Sequence, residues 1–204
     1  MRLHSANMKS ANLGKPARAV LALCATTAII LPAQTLTTLH SFNGADGETA
    51  SQLVQGLDGN LYGTTFKGGS HGYGTIFRIT TAGSLTTLYS FCSQSGCMDG
   101  EYPAAALVQA LDGDFYGTAS AGGAAGHGTI FKVTPSGVLT TLHSFCSEGP
   151  PCTDGSTPNA ALMRTTSGDL YGTTYQDTVF KITTAGTLTT LYTFCSQIEC
   201  ADGA

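Results

Sequence analysis

The 204-residue chain has no tryptophan, few charges and no apolar run long enough to cross a membrane. Asp, Glu, Lys and Arg together make up only 11% of it, against 26 glycines. Such a composition disfavours both an extended disordered chain and a helical bundle, and it suits many short strands joined by tight turns. A net charge of -4 offers no basic stripe for phosphates, so nucleic acid is not an expected partner. The main apolar stretch, residues 19–31, is 13 residues long and is broken by Thr26 and Thr27. A spanning helix needs about 20 apolar residues, so no span is expected in the mature chain.

Residues 1–34 nevertheless stand apart. Arg2, Lys9, Lys15 and Arg18 come without an acid, the apolar stretch follows, and Pro32, Ala33 and Gln34 close it. That order is a signal peptide, with a mature start near Gln34 or Thr35 and a secreted or cell-surface destination. Cys24 follows Leu21-Ala22-Leu23, but the bulky Leu23 and the continuing apolar run argue against lipidation. About 170 residues follow the segment, enough for one domain with a substantial core.

The remaining cysteines fall in pairs: Cys92 with Cys97, Cys146 with Cys152, and Cys195 with Cys200. Each pair follows the string LTTLxxF and precedes an Asp-Gly. Even number, equal placement and an export signal predict three local disulfides. Metal ligation by paired thiolates is the competing reading. Against it, no second pair or histidine set lies near in sequence.

The string LTTL(H/Y)(S/T)F itself occurs at residues 36–42, 85–91, 139–145 and 188–194, spaced by 49, 54 and 49. A period near 50 residues with several strands per period is the signature of a blade-by-blade β-architecture. Within the period an ALVQ-type run, a DGxxYGT run, GTIF(K/R)(I/V)T and LTTLxxF are separated by Asp-Gly and (Ala/Ser)-Gly turns, giving a four-stranded meander A to D. The expected fold is therefore all-β and β-propeller-like, with blades at 49–91, 102–145 and 158–194 and an orphan D strand at 36–42. Propellers have at least about four blades, so three and an orphan strand suggest an incomplete ring and a piece of a longer product. The open blade edges could support self-association.

The series GTIF(K/R)(I/V)T, LTTLYSF, DG and LYGTT with a glycine loop resembles the GloVer-type tandem repeat of bacterial extracellular proteins, over nearly all of residues 36–204. The resemblance implies a secreted or surface-anchored repeat protein. It carries no catalytic residue over to this chain.

Chemistry-bearing residues are sparse. Asp46, Asp99, Asp154 and Asp202, one in each post-D-strand Asp-Gly, are the candidate ligand-binding groups, because equivalent loops of successive blades share a face. Such a ring could hold calcium or sugar hydroxyls. The simpler reading is a turn-capping role. His40 and His143 alternate with Tyr89 and Tyr192 at one position, which asks for a polar-tipped ring rather than a titrating group. His71 and His127 lie in glycine loops, and the third copy lacks that loop. The loop at residues 68–74 has no lysine and no strand-to-helix context for phosphate. Tyr62, Tyr116 and Tyr171 could stack on sugars, but packing inside the blades suits them better. Glu48, Glu101, Glu148 and Glu199 fall in or beside variable loops and form no acid pair. No cofactor motif is present. The expectation is a non-enzymatic binding or scaffolding protein for an extracellular glycan or surface protein; the alternative is a fragment of a propeller enzyme acting on extracellular polysaccharide.

Overall fold

The computed structural model describes residues 35–195. The expected signal peptide, Cys200 and Asp202 lie outside them. The described residues form three antiparallel sheets at the predicted blades. The first contains β1 (Glu48–Ala50), β2 (Val54–Gln55), β3 (Leu61–Lys67), β4 (Thr75–Ile79) and β5 (Leu85–Ser90). The second contains β6 (Val108–Gln109), β7 (Phe115–Ala119), β8 (Thr129–Val133) and β9 (Leu139–Ser144). The third contains β10 (Met163–Arg164), β11 (Leu170–Thr173), β12 (Thr178–Ile182) and β13 (Leu188–Thr193). Neighbours in sequence are neighbours in the second and third sheets, as a meander requires; in the first, β1 and β2 both pair with β3, and β3, β4 and β5 follow in order. The sheets do not close into a ring.

Two local rules hold these strands in register. The glycine of each YGT permits close packing inside its own blade: a Cβ on Gly117 would sit 2.6 Å from Phe131 Cζ and 2.9 Å from Leu107 Cδ2, and Gly63 and Gly172 face the same Phe and Leu positions. The C and D strands also share a bulge at Ile76/Phe77, Ile130/Phe131 and Val179/Phe180. Each bulge leaves one D-strand leucine (Leu88, Leu142 or Leu191) outside the pairing. Leu88 and Leu142 pack against the apolar clusters that join successive blades.

Those clusters are the core. Tyr62, Ile76 and Phe91 of the first blade pack with Leu107, Phe115, Phe131 and Val133 of the second. Tyr116, Ile130 and Phe145 of the second pack with Leu162, Leu170, Phe180 and Ile182 of the third. One blade's apolar face thus becomes its neighbour's floor, and burial is driven by the usual removal of apolar area from water. The ring of Tyr62 stacks on Phe115 at 4.1 Å, and Phe91 and Phe145 meet Phe131 and Phe180 edge-on at 5.1 and 5.5 Å.

Two expectations need correction. The A strands are only two residues long at Val54–Gln55, Val108–Gln109 and Met163–Arg164. In the second and third blades part of the preceding run bonds the neighbouring blade instead: Thr64 Oγ1 donates to the Ala105 carbonyl at 3.1 Å, and Thr118 Oγ1 to that of Ala160 at 3.2 Å. The orphan segment, described here for residues 37–42, is not a strand, because no described strand pairs with it. It still lies where a D strand would: Phe42 meets Phe77 edge-on at 5.1 Å, and the Leu39 carbonyl covers Gly83 as the Leu88 carbonyl covers Gly137.

Candidate functional site

In a meander the loops after B and D strands emerge at one end of the sheet and those after A and C at the other. Hydrogen bonds tie the first set together: Gly69 N donates to the Gly44 carbonyl at 2.8 Å, and Gly123 N to that of Cys97 at 2.9 Å. Each glycine loop therefore clasps the Asp-Gly loop that precedes its blade. This loop face holds every described aspartate singled out as a ligand.

The structure directs those aspartates inward. Asp99 is fully buried, and its Oδ2 accepts from Tyr89 Oη at 2.9 Å, Ser93 N at 2.9 Å and Ser93 Oγ at 3.1 Å, while Oδ1 accepts from Gln94 N at 3.2 Å. Asp154 lies 2.8 Å from His143 Nε2 and accepts from Cys146 N at 3.1 Å. Asp46 lies 2.7 Å from His40 Nε2 and accepts from Asn43 N at 2.9 Å. The Asn43 N–H chiefly, and the His40 ring after it, hold the Asp46 carboxyl below the usual carboxylate range against the opposing effect of burial. Each carboxylate thus closes its own loop onto the ring at the end of the D strand. That explains why histidine and tyrosine exchange there. Asp99 is buried with both oxygens taken up by its own loop and the D-strand ring, whereas Asp46 and Asp154 remain partly exposed.

The glycine after each aspartate completes the device. A Cβ on Gly47 would meet Thr65 Oγ1 at 2.6 Å, and one on Gly100 would meet Thr129 Oγ1 at 2.6 Å. The sequence pattern gave the turn but no sign of this close approach.

Disulfides Cys92–Cys97 and Cys146–Cys152 close the second and third such loops, as expected. Glu101 lies by the first and His127 by the second, within 4.8 Å of the sulfurs. Sulfurs joined to each other offer no thiolate pair, so the metal reading has no support at either site. Asn43 takes the cysteines' place in the first loop, its side-chain oxygen accepting from Ala45 N at 3.0 Å.

Two of the concavities among the described residues lie on this site or on the A segments. One of about 520 Å³ lies between the third Asp-Gly loop and β13, with His143, Glu148, Pro150, Pro151, Asp154 and Thr190 on its walls. The other, about 590 Å³, is where the three A segments converge. Its walls are Ala50, Ser51, Gln52, Ala104, Ala105, Ala106, Asn159 and Ala161, with no titratable side chain. Ser51 Oγ is held 2.7 Å from Thr64 Oγ1.

Two of the three repeated tyrosines belong to the core, and Tyr171 is half-buried. Tyr62 and Tyr116 are buried, and their hydroxyls donate to Asp58 at 2.8 Å and Asp112 at 2.6 Å in the A–B turns. Burial first, and then the adjacent aspartate, pushes both phenols above the ordinary tyrosine range. Asp58 is held low, chiefly by the Asn60 side chain. His71 is exposed and bonded to Ser70 Oγ at 3.1 Å.

A family model described as the Gloeobacter/Verrucomicrobia repeat matches residues 26–204. No curated protein matches the chain. Among solved structures, a streptogramin B lyase is similar at 17% identity and a TM-score of 0.48, the match covering 72% of this chain and 41% of that one. A luciferin-regenerating enzyme is similar at 17% identity and 0.45, covering 70% and 44%. A protein of unknown function from Dyadobacter fermentans is similar at 13% identity and 0.41, covering 69% and 48%. The chain spans under half the length of each of these structures.

Proposed function

We propose that this chain, which belongs to the Gloeobacter/Verrucomicrobia repeat family, is an exported, non-enzymatic binding repeat that holds extracellular glycans or surface proteins on its loop face. The observation that carries this reading is the division of labour inside the Asp-Gly loops. The recurring aspartate, glycine and ring are consumed in closing each loop. The residues that differ between copies, Gln94 and Ser95 in one and Glu148, Pro150 and Pro151 in the next, are exposed. A fixed frame with a varied exterior suits recognition, and frames repeated in register suit weak multivalent contact. Asp46 and Asp154 border that surface.

Two further observations support the reading. Loops closed by disulfides fit an oxidising, exported setting, reached through the signal peptide. Asp46 and Asp58 are held below the usual range, the opposite of what a general acid needs near neutral pH.

Glycan and surface-protein panels, scored for both binding and turnover, test the proposal. Binding that weakens in Gln94→Ala and Glu148→Ala while the melting temperature holds is the expected result. Turnover abolished by one substitution would establish the enzyme reading instead.

A further inference from the structure

Joined sulfurs offer no thiolates, but at the joint between the second and third blades the disulfide bond alone separates the loop from a full ligand set. His127, at the end of the second blade's glycine loop, lies beside Cys146 and Cys152, with one ring nitrogen and the two sulfurs within 4.8 Å of one another. Backbone hydrogen bonds fix all three residues independently of the disulfide. Cys146 N donates to Asp154 at 3.1 Å, Gly149 N to the Cys146 carbonyl at 3.0 Å, Gly155 N to the Cys152 carbonyl at 2.9 Å, and Thr157 N to the His127 carbonyl at 2.8 Å. Breaking the sulfur–sulfur bond therefore frees two thiols that the chain still holds together. The joint between the first and second blades differs: Tyr73 stands where His127 does, its carbonyl accepting from Tyr102 N at 2.9 Å, and the group beside Cys92 and Cys97 is the Glu101 carboxylate. Among the described residues, an imidazole meets a cysteine pair at the second joint alone.

We propose that reduction of the Cys146–Cys152 disulfide uncovers a zinc site made of both thiolates and the His127 imidazole. A dithiol supplies the two electrons and becomes a disulfide, and the ion displaces the protons of the two freed thiols. Around one tetrahedral zinc, bonds of about 2.3 Å to sulfur and about 2.1 Å to nitrogen put ligand atoms roughly 3.6–3.8 Å apart. The three side chains already converge within that scale, and only the sulfurs must part. Cys146 also lines the concavity of about 520 Å³, which gives the ion a way in and leaves room for water as the fourth ligand. Closing the disulfide again passes two electrons to a partner disulfide and releases the ion, so the loop holds either a covalent bond or a metal.

Zinc protection against alkylation tests this on the full chain, reduced with a phosphine that is then removed under nitrogen. Peptide mapping reads each cysteine separately, so the other pairs do not confuse the result. Zinc should slow the reaction of Cys146 and Cys152 with iodoacetamide. His127→Tyr installs the residue that the first joint carries, and it should raise the zinc concentration needed for that protection by about tenfold or more, since disturbing an outer-shell partner alone costs that much. Cobalt(II) added to the reduced wild type should give a thiolate charge-transfer band that the oxidised chain lacks. Alkylation of Cys146 and Cys152 at one rate with and without zinc would overturn the site. Equal protection in His127→Tyr would remove the imidazole from it, and His127→Ala repeats that measurement if the tyrosine variant does not fold.

Discussion

Thr65 and Thr174 each hydrogen-bond a threonine across the B–C pair, Thr75 at 2.9 Å and Thr178 at 2.8 Å. The second blade has Ala119 at that place, and Thr129 Oγ1 is buried without a partner. Threonine already fits there in the other two blades, so Ala119→Thr should add about 1 kcal/mol and raise the melting temperature by roughly 2–4 °C; a lower melting temperature would refute it. Gly117→Ala has the opposite sign. Its Cβ meets Phe131 and Leu107 below van der Waals distance, and such overpacking costs roughly 1–3 kcal/mol by denaturant titration. Asp46 gives a pH dependence. Its pKa is lowered in the folded chain, so its stabilisation is complete above the unfolded value near 3.9 and is lost as pH falls through the folded one. Melts over that acid range should show a shallower decline for Asp46→Asn than for the wild type.

At the scale of the element, the D strand and the loop after it form one device: a bulge that leaves a leucine at the joint between blades, a ring that meets the loop aspartate, and a closure. The closure is a disulfide in two described copies and the Asn43 side chain in the shorter first loop. A loop of this size, closed over a separation of 6 residues at Cys146–Cys152, restricts the unfolded chain by roughly 2 kcal/mol. Replacing both Cys146 and Cys152 with serine should cost about that much in equilibrium unfolding; an unchanged midpoint would show that Asp154 holds the loop unaided. Strand order, turn positions and disulfide pairing were legible in the sequence because repetition compares each element with its copies. The bulge was not, since the leucine outside the pairing looks like any other in LTTLxxF. The shortness of the A strands was hidden for a related reason: carbonyls in the runs before β6 and β10, Ala105 and Ala160, accept hydrogen bonds from the preceding blade instead of extending the strand.

Across the whole molecule, both apolar clusters draw on the second blade. It is covered on two sides, while the first and third each have one bare face. Local stability follows burial and contact density, so amides of β7 and β8 should exchange more slowly with solvent deuterium than those of β11 and β12. Equal protection in the two blades would mean that the third is covered by something more than the second. Phe145→Ala should cost roughly 3–5 kcal/mol, since it empties the joint between the second and third blades.

The sequence by itself determined the repeat, the four-strand unit, the turns and the disulfide pairs of the described blades. These rest on local chemistry that recurs: glycine where φ turns positive, cysteines within reach of one another, alternation along a strand. Only the tertiary structure decided the direction in which the repeated aspartates point. As residues in a loop, Asp46, Asp99 and Asp154 could equally have faced a ligand or their own backbone. The choice depends on where the glycine loop of the next blade and the ring of the D strand come to lie, and those positions are set by packing between blades rather than by neighbours in the chain. The same packing decides which leucines are core and which are bare, because Leu88 and Leu191 sit in almost the same seven letters and differ in whether another blade lies beside them.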